Sequence, residues 1–129
     1  MKLDVEGKAG VSNATPAQIA RAIRSLKSYG RSSYASLTNE SGSYVQVAGG
    51  VVSCMVELFD ASAEVCSRAF HDKPSAARPD GTILVFGAGN LPMRSDEWFM
   101  VNQVVEIFLA FCVSAPFPSY VGWRPAPKL

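Results

Sequence analysis

The chain has 129 residues, 48% of them hydrophobic, which fits a single domain spanning residues 1–129. Twelve Lys and Arg oppose eleven Asp and Glu, so the formal net charge is +1. This balance argues against a general nucleic-acid binder, because such proteins carry a basic excess. A domain of this size buries roughly two-thirds of its unfolded surface and needs neither a metal nor a disulfide to fold.

The three cysteines, Cys54, Cys66 and Cys112, are widely spaced and odd in number. This usage predicts free, buried thiols in a reducing compartment. The first ten residues lack the apolar core of a secretory signal. The apolar run over residues 104–115 is interrupted by Glu106 and is too short to span a bilayer. We therefore expect a cytoplasmic protein with no membrane partner.

The first predicted elements are a strand over residues 2–6 and a helix that begins near Thr15. Thr15 can cap the helix, Pro16 suits its first position, and Gln18 completes a capping box. Apolar residues then recur at helical spacing. Gly30 is predicted to terminate this helix, since glycine is favoured just after a helix end.

The middle of the chain changes to the two-residue period of β-strands. Turn-like segments separate four predicted strands at residues 34–38, 44–48, 51–59 and 64–70. In the third strand, one face is shared by Val52, Cys54, Val56 and Leu58, which indicates a half-buried antiparallel strand. The preceding pair, Gly49 and Gly50, is predicted to form a tight hairpin turn.

A further strand is predicted at residues 82–86, followed by a second long helix. Ser95 suits the N-cap of this helix, and Asp96 and Glu97 suit the positive end of its dipole. Trp98 then begins an apolar stripe at helical spacing.

A short edge strand over residues 119–123 completes the predicted elements. The order is strand, helix, a run of strands, helix and strand. It predicts an α+β fold, with a single curved, mainly antiparallel β-sheet and two helices packed against it.

The segment GAGNLP resembles part of a dinucleotide-binding fingerprint, which raises the question of a nucleotide site. Gly87 and Gly89 fit the pattern, but Pro92 stands where the third glycine is needed, and no βα unit follows. The residues instead predict a strand-to-loop exit in which glycine permits positive φ. No cofactor is expected.

No catalytic or metal-binding set emerges from the remaining polar residues. His71 is the one histidine, expected to be a solvated residue at a strand end, and no standard zinc spacing is present. Glu57 is expected to face solvent, and Glu106 to lie on the polar side of the second helix. Four basic residues are interpreted as a charged outer helix face: Arg21, Arg24, Lys27 and Arg31.

Five segments, SGSYVQVAGG, CMVELFD, TILVFGAGN, DEWF and PSYVGWRP, resemble small bacterial immunity proteins of polymorphic and contact-dependent toxin systems. The nearest resemblance is to the immunity family often paired with deaminase-type toxins. It covers residues 42–124, and Trp123 matches the tryptophan that this family carries late in the chain. The resemblance implies an α+β domain that binds and neutralises a toxin.

An immunity protein of this kind is a non-enzymatic inhibitor that blocks the active site or substrate groove of its toxin. Hot spots of interfaces are rich in Trp, Tyr and Arg, which gives as candidates Tyr44, Arg94, Trp98, Trp123 and Arg124. Glu40 and Asp60 are added because acidic turns suit a basic toxin groove. No direct nucleic-acid binding is expected, and homo-oligomerisation stays open.

Two other functions are alternatives. A secretion chaperone or adaptor would share the α+β pattern and bind its partner without inhibiting it. A small enzyme would have to combine Cys66 or Cys112 with His71, and no sequence signature supports that dyad. Whether Trp98 and Glu106 belong to the core or to an interface also stays open.

Overall fold

A computed structural model describes residues 1–127, which form an α+β fold as the sequence predicts. The described residues contain two helices, α1 (Pro16–Arg24) and α2 (Val101–Cys112). They also contain eight strands: β1 (Lys2–Val5), β2 (Tyr34–Thr38), β3 (Tyr44–Gly50), β4 (Ser53–Asp60), β5 (Val65–Phe70), β6 (Thr82–Phe86), β7 (Gly89–Met93) and β8 (Gly122–Pro125). Six strands form an antiparallel sheet in the order β1-β2-β3-β4-β5-β8, and β6 and β7 form a separate hairpin.

The two helices pack against each other and cover one face of the sheet, here called the helix face. Ile19 and Ile23 of α1 and Ile107 and Phe108 of α2 are fully buried there against the alternate residues of β2, β3 and β4. The apolar residues that recur at helical spacing in α1 and α2 therefore pack against those that alternate in the strands, and together they form one core.

The β6–β7 hairpin lies on the opposite face of the sheet, here called the hairpin face. Its inward residues Leu84 and Leu91 form a small apolar cluster with Met55 of β4 and with Trp98. Because Cys54 and Val56 are buried on the helix face while Met55 is buried on the hairpin face, β4 is covered on both sides at this level. The expectation of a half-buried strand fails here, since a hairpin distant in sequence supplies the second cover.

Two isolated β-bridges extend the sheet, one at the edge strand β1 and one at β4. Leu3 of β1 exchanges two backbone hydrogen bonds with Val11, each of 2.9 Å. Beyond the end of β5, Cys54 of β4 pairs in the same way with Phe99, at 3.0 and 2.8 Å. The segment 94–100 thus passes beside the sheet and connects the hairpin face to the helix face.

The start of α1 matches the prediction, whereas its end does not. Thr15 Oγ1 accepts from the Gln18 amide at 3.1 Å, and the Gln18 side chain accepts from the Thr15 amide at 2.8 Å. The helix ends at Arg24 with Ser25 as its C-cap, and Gly30 lies in the following loop. The apolar pattern continues past the end of the helix, because Leu26 in the following loop is also buried.

The predicted start of α2 is wrong. The helix begins at Val101, and its N-cap is Met100, whose amide donates to the Gln103 side chain at 2.8 Å. Ser95 is therefore not a cap, and Asp96 and Glu97 do not serve the helix dipole, because both carboxylates bind arginines instead.

The glycine-rich segments also differ from their predictions. Gly49 and Gly50 belong to β3, where a side chain on Gly50 would collide with the Leu26 carbonyl oxygen, and the hairpin turn is formed by Val51 and Val52. In the GAGN segment, Gly87 and Ala88 form the turn between β6 and β7, and Gly89 and Asn90 begin β7. Sequence patterns do not predict that strand, β7, because it contains Pro92 and begins with glycine.

Candidate binding surface

The structure separates the seven candidate toxin-binding residues into two groups and one outlier. Glu40, Tyr44 and Asp60 lie at one end of the sheet, where the β2–β3 and β4–β5 turns meet. Arg94, Trp98 and Arg124 lie near a set of ion pairs on the hairpin face. Trp123 belongs to the helix face, because its neighbour Arg124 pairs in register with Arg68 on the other side.

The end that carries Glu40, Tyr44 and Asp60 is here called the acidic end. The Ser43 hydroxyl accepts from the Ala61 amide at 2.9 Å and so joins its two turns. Glu40 and Asp60 are exposed there, together with Glu64. From Ala35 to Ser67 the sequence contains four acidic residues and no Lys or Arg. Of these acids, Glu57 pairs with Arg68, whereas Glu40, Asp60 and Glu64 form no ion pair within the described residues.

Hydrogen bonds within its own turn hold Asp60 ionised. Its Oδ1 accepts from the Ser62 hydroxyl at 2.7 Å, from the Ser62 amide at 2.9 Å and from the Ala63 amide at 3.4 Å. These bonds, with the Ser62 hydroxyl first, lower the pKa of Asp60 below its ordinary value. The acidic end therefore keeps this charge well into mildly acidic solution.

An aromatic pair adjoins the acidic end. Tyr44 of β3 stacks on Phe59 of β4, with ring centroids 5.1 Å apart, and both side chains are half-buried. Burial raises the pKa of Tyr44, with smaller contributions from Cys66 and Glu57, so the hydroxyl stays protonated and can donate. Phe59 is not among the sequence candidates, because the predicted turn at Gly49 and Gly50 would place Met55, and not Phe59, opposite Tyr44.

A groove separates the β6–β7 hairpin from the sheet. It encloses a cavity of about 420 Å³ whose walls include Tyr34 and Gln46 of the sheet and Phe86 and Leu91 of the hairpin. A second cavity, of about 450 Å³, lies beyond Glu57 and Leu91 and reaches Cys66 and Arg68. The hairpin face therefore offers a mixed apolar and polar concave surface of the size that binding sites use.

Arg68 is the centre of the ion pairs on the hairpin face. Its guanidinium is only 2% exposed and contacts the carboxylates of Glu57, at 3.0 Å, and Glu97, at 3.5 Å. It also donates to the Pro92 carbonyl at 3.3 Å. Glu57 accepts from the Gln46 side chain at 2.9 Å, so the expectation that Glu57 faces solvent is wrong. Sequence reasoning misses Arg68 because its partners lie on three other segments.

Arg124 extends this set of ion pairs to the edge strand β8. It forms a bidentate pair with Asp96, at 2.7 and 3.0 Å, and reaches Glu97 at 3.4 Å. The hydrogen bond to Asp96 is the main cause that raises the pKa of Arg124. Its guanidinium also lies 4.1 Å from the centre of the Phe70 ring. Arg124 is thus engaged within the chain, whereas the Arg94 side chain is exposed.

Both tryptophans have structural contacts. Trp98 is buried in the hairpin-face cluster, and the Arg78 guanidinium lies 4.6 Å from its ring centre. Trp98 precedes α2 and does not begin its apolar stripe, which corrects the sequence prediction. Trp123 is half-buried against Phe117 and the helix-face core. Glu106 is exposed on α2, as expected, and accepts from the Tyr120 hydroxyl at 3.1 Å.

The histidine and the three cysteines do not form a catalytic or metal-binding cluster among the described residues. His71 is partly buried and not simply solvated: its Nε2 lies 2.7 Å from the Trp98 carbonyl oxygen, and its Nδ1 accepts from the Lys73 amide. The three cysteines are free; Cys54 is buried, and Cys66 and Cys112 are partly exposed. Burial raises the pKa of Cys54 to about 12. Within residues 1–127, no group of three His, Cys, Asp or Glu side chains is placed to hold a metal ion.

Neither protein-family models, nor curated proteins, nor solved structures match this chain. Among the described residues, no helix is long and apolar enough to cross a membrane.

Proposed function

We propose that the chain is a non-enzymatic immunity protein that binds a bacterial toxin in the cytoplasm and blocks its active site or substrate groove. The observation that carries this proposal is the acidic end, where Glu40 and Asp60 are exposed beside the stacked pair of Tyr44 and Phe59. The sequence resemblance to the immunity family paired with deaminase-type toxins points to the same activity.

The chemistry of the acidic end suits a partner that handles nucleic acid. Grooves that hold a phosphate backbone are lined by Lys and Arg, and a surface of opposite charge steers association and fixes orientation. The half-buried ring of Tyr44 offers a flat apolar contact next to those charges, with a hydroxyl that remains a donor. Such an aromatic anchor is typical of interface hot spots.

Ion pairs and hydrogen bonds on the hairpin face hold the groove beside Tyr44 and Phe59 in shape. Arg68 holds Glu57 of the sheet and the Pro92 carbonyl of the hairpin in one place. The groove next to the aromatic pair is therefore preformed, which lowers the entropy lost on binding. A toxin loop that carries an apolar residue beside a basic one would fit this arrangement.

The experiment begins with affinity purification of the tagged chain from its native cells and identification of stoichiometric partners. A partner with a toxin domain is then assayed for activity against increasing amounts of the chain. We expect one-to-one inhibition. Inhibition should weaken at least tenfold in the double variant Glu40→Lys/Asp60→Asn, because the acidic end then loses three units of negative charge. The substituted asparagine keeps a side-chain oxygen that accepts the turn hydrogen bonds.

The matched control is Asp72→Asn/Glu106→Lys, which changes the net charge equally at two exposed positions elsewhere. Inhibition should survive in this variant. A complex in which the toxin stays fully active would support the adaptor alternative and contradict the proposal. Equal loss of inhibition in both double variants would show that the acidic end is not the binding surface.

A further inference from the structure

A second surface lies at the opposite end of the sheet, here called the tip and defined by Tyr29, Val51, Val52 and Met100. These apolar side chains are exposed by 91%, 56%, 48% and 55% respectively. The β3–β4 turn that carries Val51 and Val52 is separated from the acidic end by the length of β3, roughly 20 Å at 3.3 Å per residue. The two surfaces are therefore independent.

Backbone contacts bring the four tip residues together from three segments. The Val101 amide donates to the Val51 carbonyl at 2.7 Å, which places Met100 beside the β3–β4 turn. Gly50 packs directly on the Leu26–Lys27 backbone, where no side chain would fit. The loop that begins there carries Tyr29, so three segments with exposed apolar side chains meet at this end of the sheet.

The conformation of Val51 is unfavourable for its residue type. Its φ is +58°, in the left-handed region that β-branched residues avoid. A two-residue hairpin turn with positive φ at its first central position normally carries glycine there. Val51 thus combines backbone strain with an exposed apolar side chain, and strained residues of this kind concentrate at functional sites.

Three basic residues lie in segments next to the tip. Lys27 and Arg31 are exposed in the loop beside the turn, and Arg78 donates to the Val52 carbonyl at 2.9 Å. From Gly7 to Asn39 the sequence contains five basic residues and no acid. The nearest acid before this stretch, Glu6, directs its carboxylate to the Ser33 amide and hydroxyl, at 2.8 and 2.7 Å.

We propose that the tip docks reversibly on an anionic lipid surface. Aliphatic and aromatic side chains that project among basic residues match the boundary between acyl chains and negatively charged headgroups. A second copy is a poor occupant, because the basic residues beside the two tips would repel each other. A stable protein interface needs about 800 Å² from each partner, well beyond what four partly exposed side chains provide.

This proposal departs from the sequence expectation of no membrane partner. That expectation concerned a segment able to span the bilayer, whereas peripheral docking requires only a small apolar tip and nearby positive charge. It goes beyond the proposed toxin inhibition, because it uses the other end of the sheet. Each proposal can fail without affecting the other.

The experiment is co-sedimentation of the purified chain with vesicles of phosphatidylcholine, either pure or containing phosphatidylglycerol. We expect binding to the anionic vesicles that falls steeply between low and high salt. Lys27→Glu should weaken this binding about fivefold or more, since each basic residue near an anionic surface contributes substantially. Lys2→Glu makes the same charge change at the acidic end and should have little effect.

The decisive variant is Val51→Gly. Glycine relieves the positive φ and removes the apolar side chain. We expect the melting temperature to rise by about 3 °C, or at least not to fall, while anionic-vesicle binding drops about fivefold. Val113→Gly removes the same atoms from an exposed valine at the far end of α2 and should leave vesicle binding unchanged.

Three results would overturn the proposal. The first is no binding to either vesicle; if a single-stranded oligonucleotide then binds in a way that depends on Lys27, the basic residues belong to a nucleic-acid site. The second is equal binding to neutral and anionic vesicles. The third is unchanged binding to anionic vesicles in Val51→Gly or in Lys27→Glu.

Discussion

The two faces of the sheet are held by different kinds of interaction. The helix face is packed by apolar side chains from α1, α2 and the sheet, with Phe108 fully buried among them. The hairpin face combines a small apolar cluster with the buried charges of Arg68 and Glu97. Apolar packing is non-directional, whereas ion pairs depend on geometry. We infer that the helix face supplies most of the stability and that Arg68 fixes the position of the hairpin.

The largest effect is expected on the helix face. Phe108→Ala removes a fully buried aromatic ring and should lower the free energy of unfolding by about 3–5 kcal/mol. Urea denaturation followed by circular dichroism measures this change. Val85→Ala, at an exposed position of the hairpin, is the control and should change stability by less than about 0.5 kcal/mol. A Phe108 variant that loses under about 1 kcal/mol would contradict the comparison.

The next effect is expected on the hairpin face. Arg68→Met leaves Glu57 without a cation and Glu97 with only its 3.4 Å contact to Arg124, and should lower the free energy of unfolding by about 3 kcal/mol. The triple variant Glu57→Gln/Arg68→Met/Glu97→Gln removes the charges together and should recover most of the loss, because no unpaired charge remains buried. If the triple variant is no more stable than the single variant, hydrogen-bond geometry outweighs charge at this site.

The smallest perturbation is thiol labelling, which compares the two faces of the sheet without any substitution in the chain. Cys54 is buried and its pKa is raised to about 12, so it should resist iodoacetamide at roughly pH 8 until the chain unfolds. Cys66 lines the second cavity and should react in the native state, although burial also raises its pKa. Mass spectrometry of peptides from the labelled protein distinguishes them. Faster labelling of Cys54 than of Cys66 would refute this assignment.

Much of the fold follows from local sequence. The capping box of Thr15 and Gln18 identifies the start of α1, since both partners lie within three residues. The alternation in the middle of the chain identifies β2 to β5, because strand period and turns are also local signals. The acidic candidates Glu40 and Asp60 lie together for the same reason, as they occupy turns at the same end of consecutive hairpins.

The sequence predictions that are wrong concern residues whose contacts are distant in sequence. Asp96 and Glu97 have the composition of a helix start, yet Arg124 and Arg68 bind them from β8 and β5. Trp98 fits a helical stripe by its spacing, whereas a hairpin cluster buries it. The sequence does not indicate a turn at Val51, because valine is not expected at positive φ. Period and capping rules do not contain this long-range information.

The sheet order has a consequence for how the chain folds. β1 to β5 lie side by side, and each of β3 to β5 can pair through a short turn as soon as its neighbour is made. β8 joins β5 only after the hairpin and α2 have been traversed, so closing that loop is the slow, non-local step. Until Arg124 arrives, Asp96 lacks the partner that holds the segment beside the sheet. During synthesis, the helix-face core can therefore form before β8 pairs with β5 and before Arg124 binds Asp96 on the hairpin face.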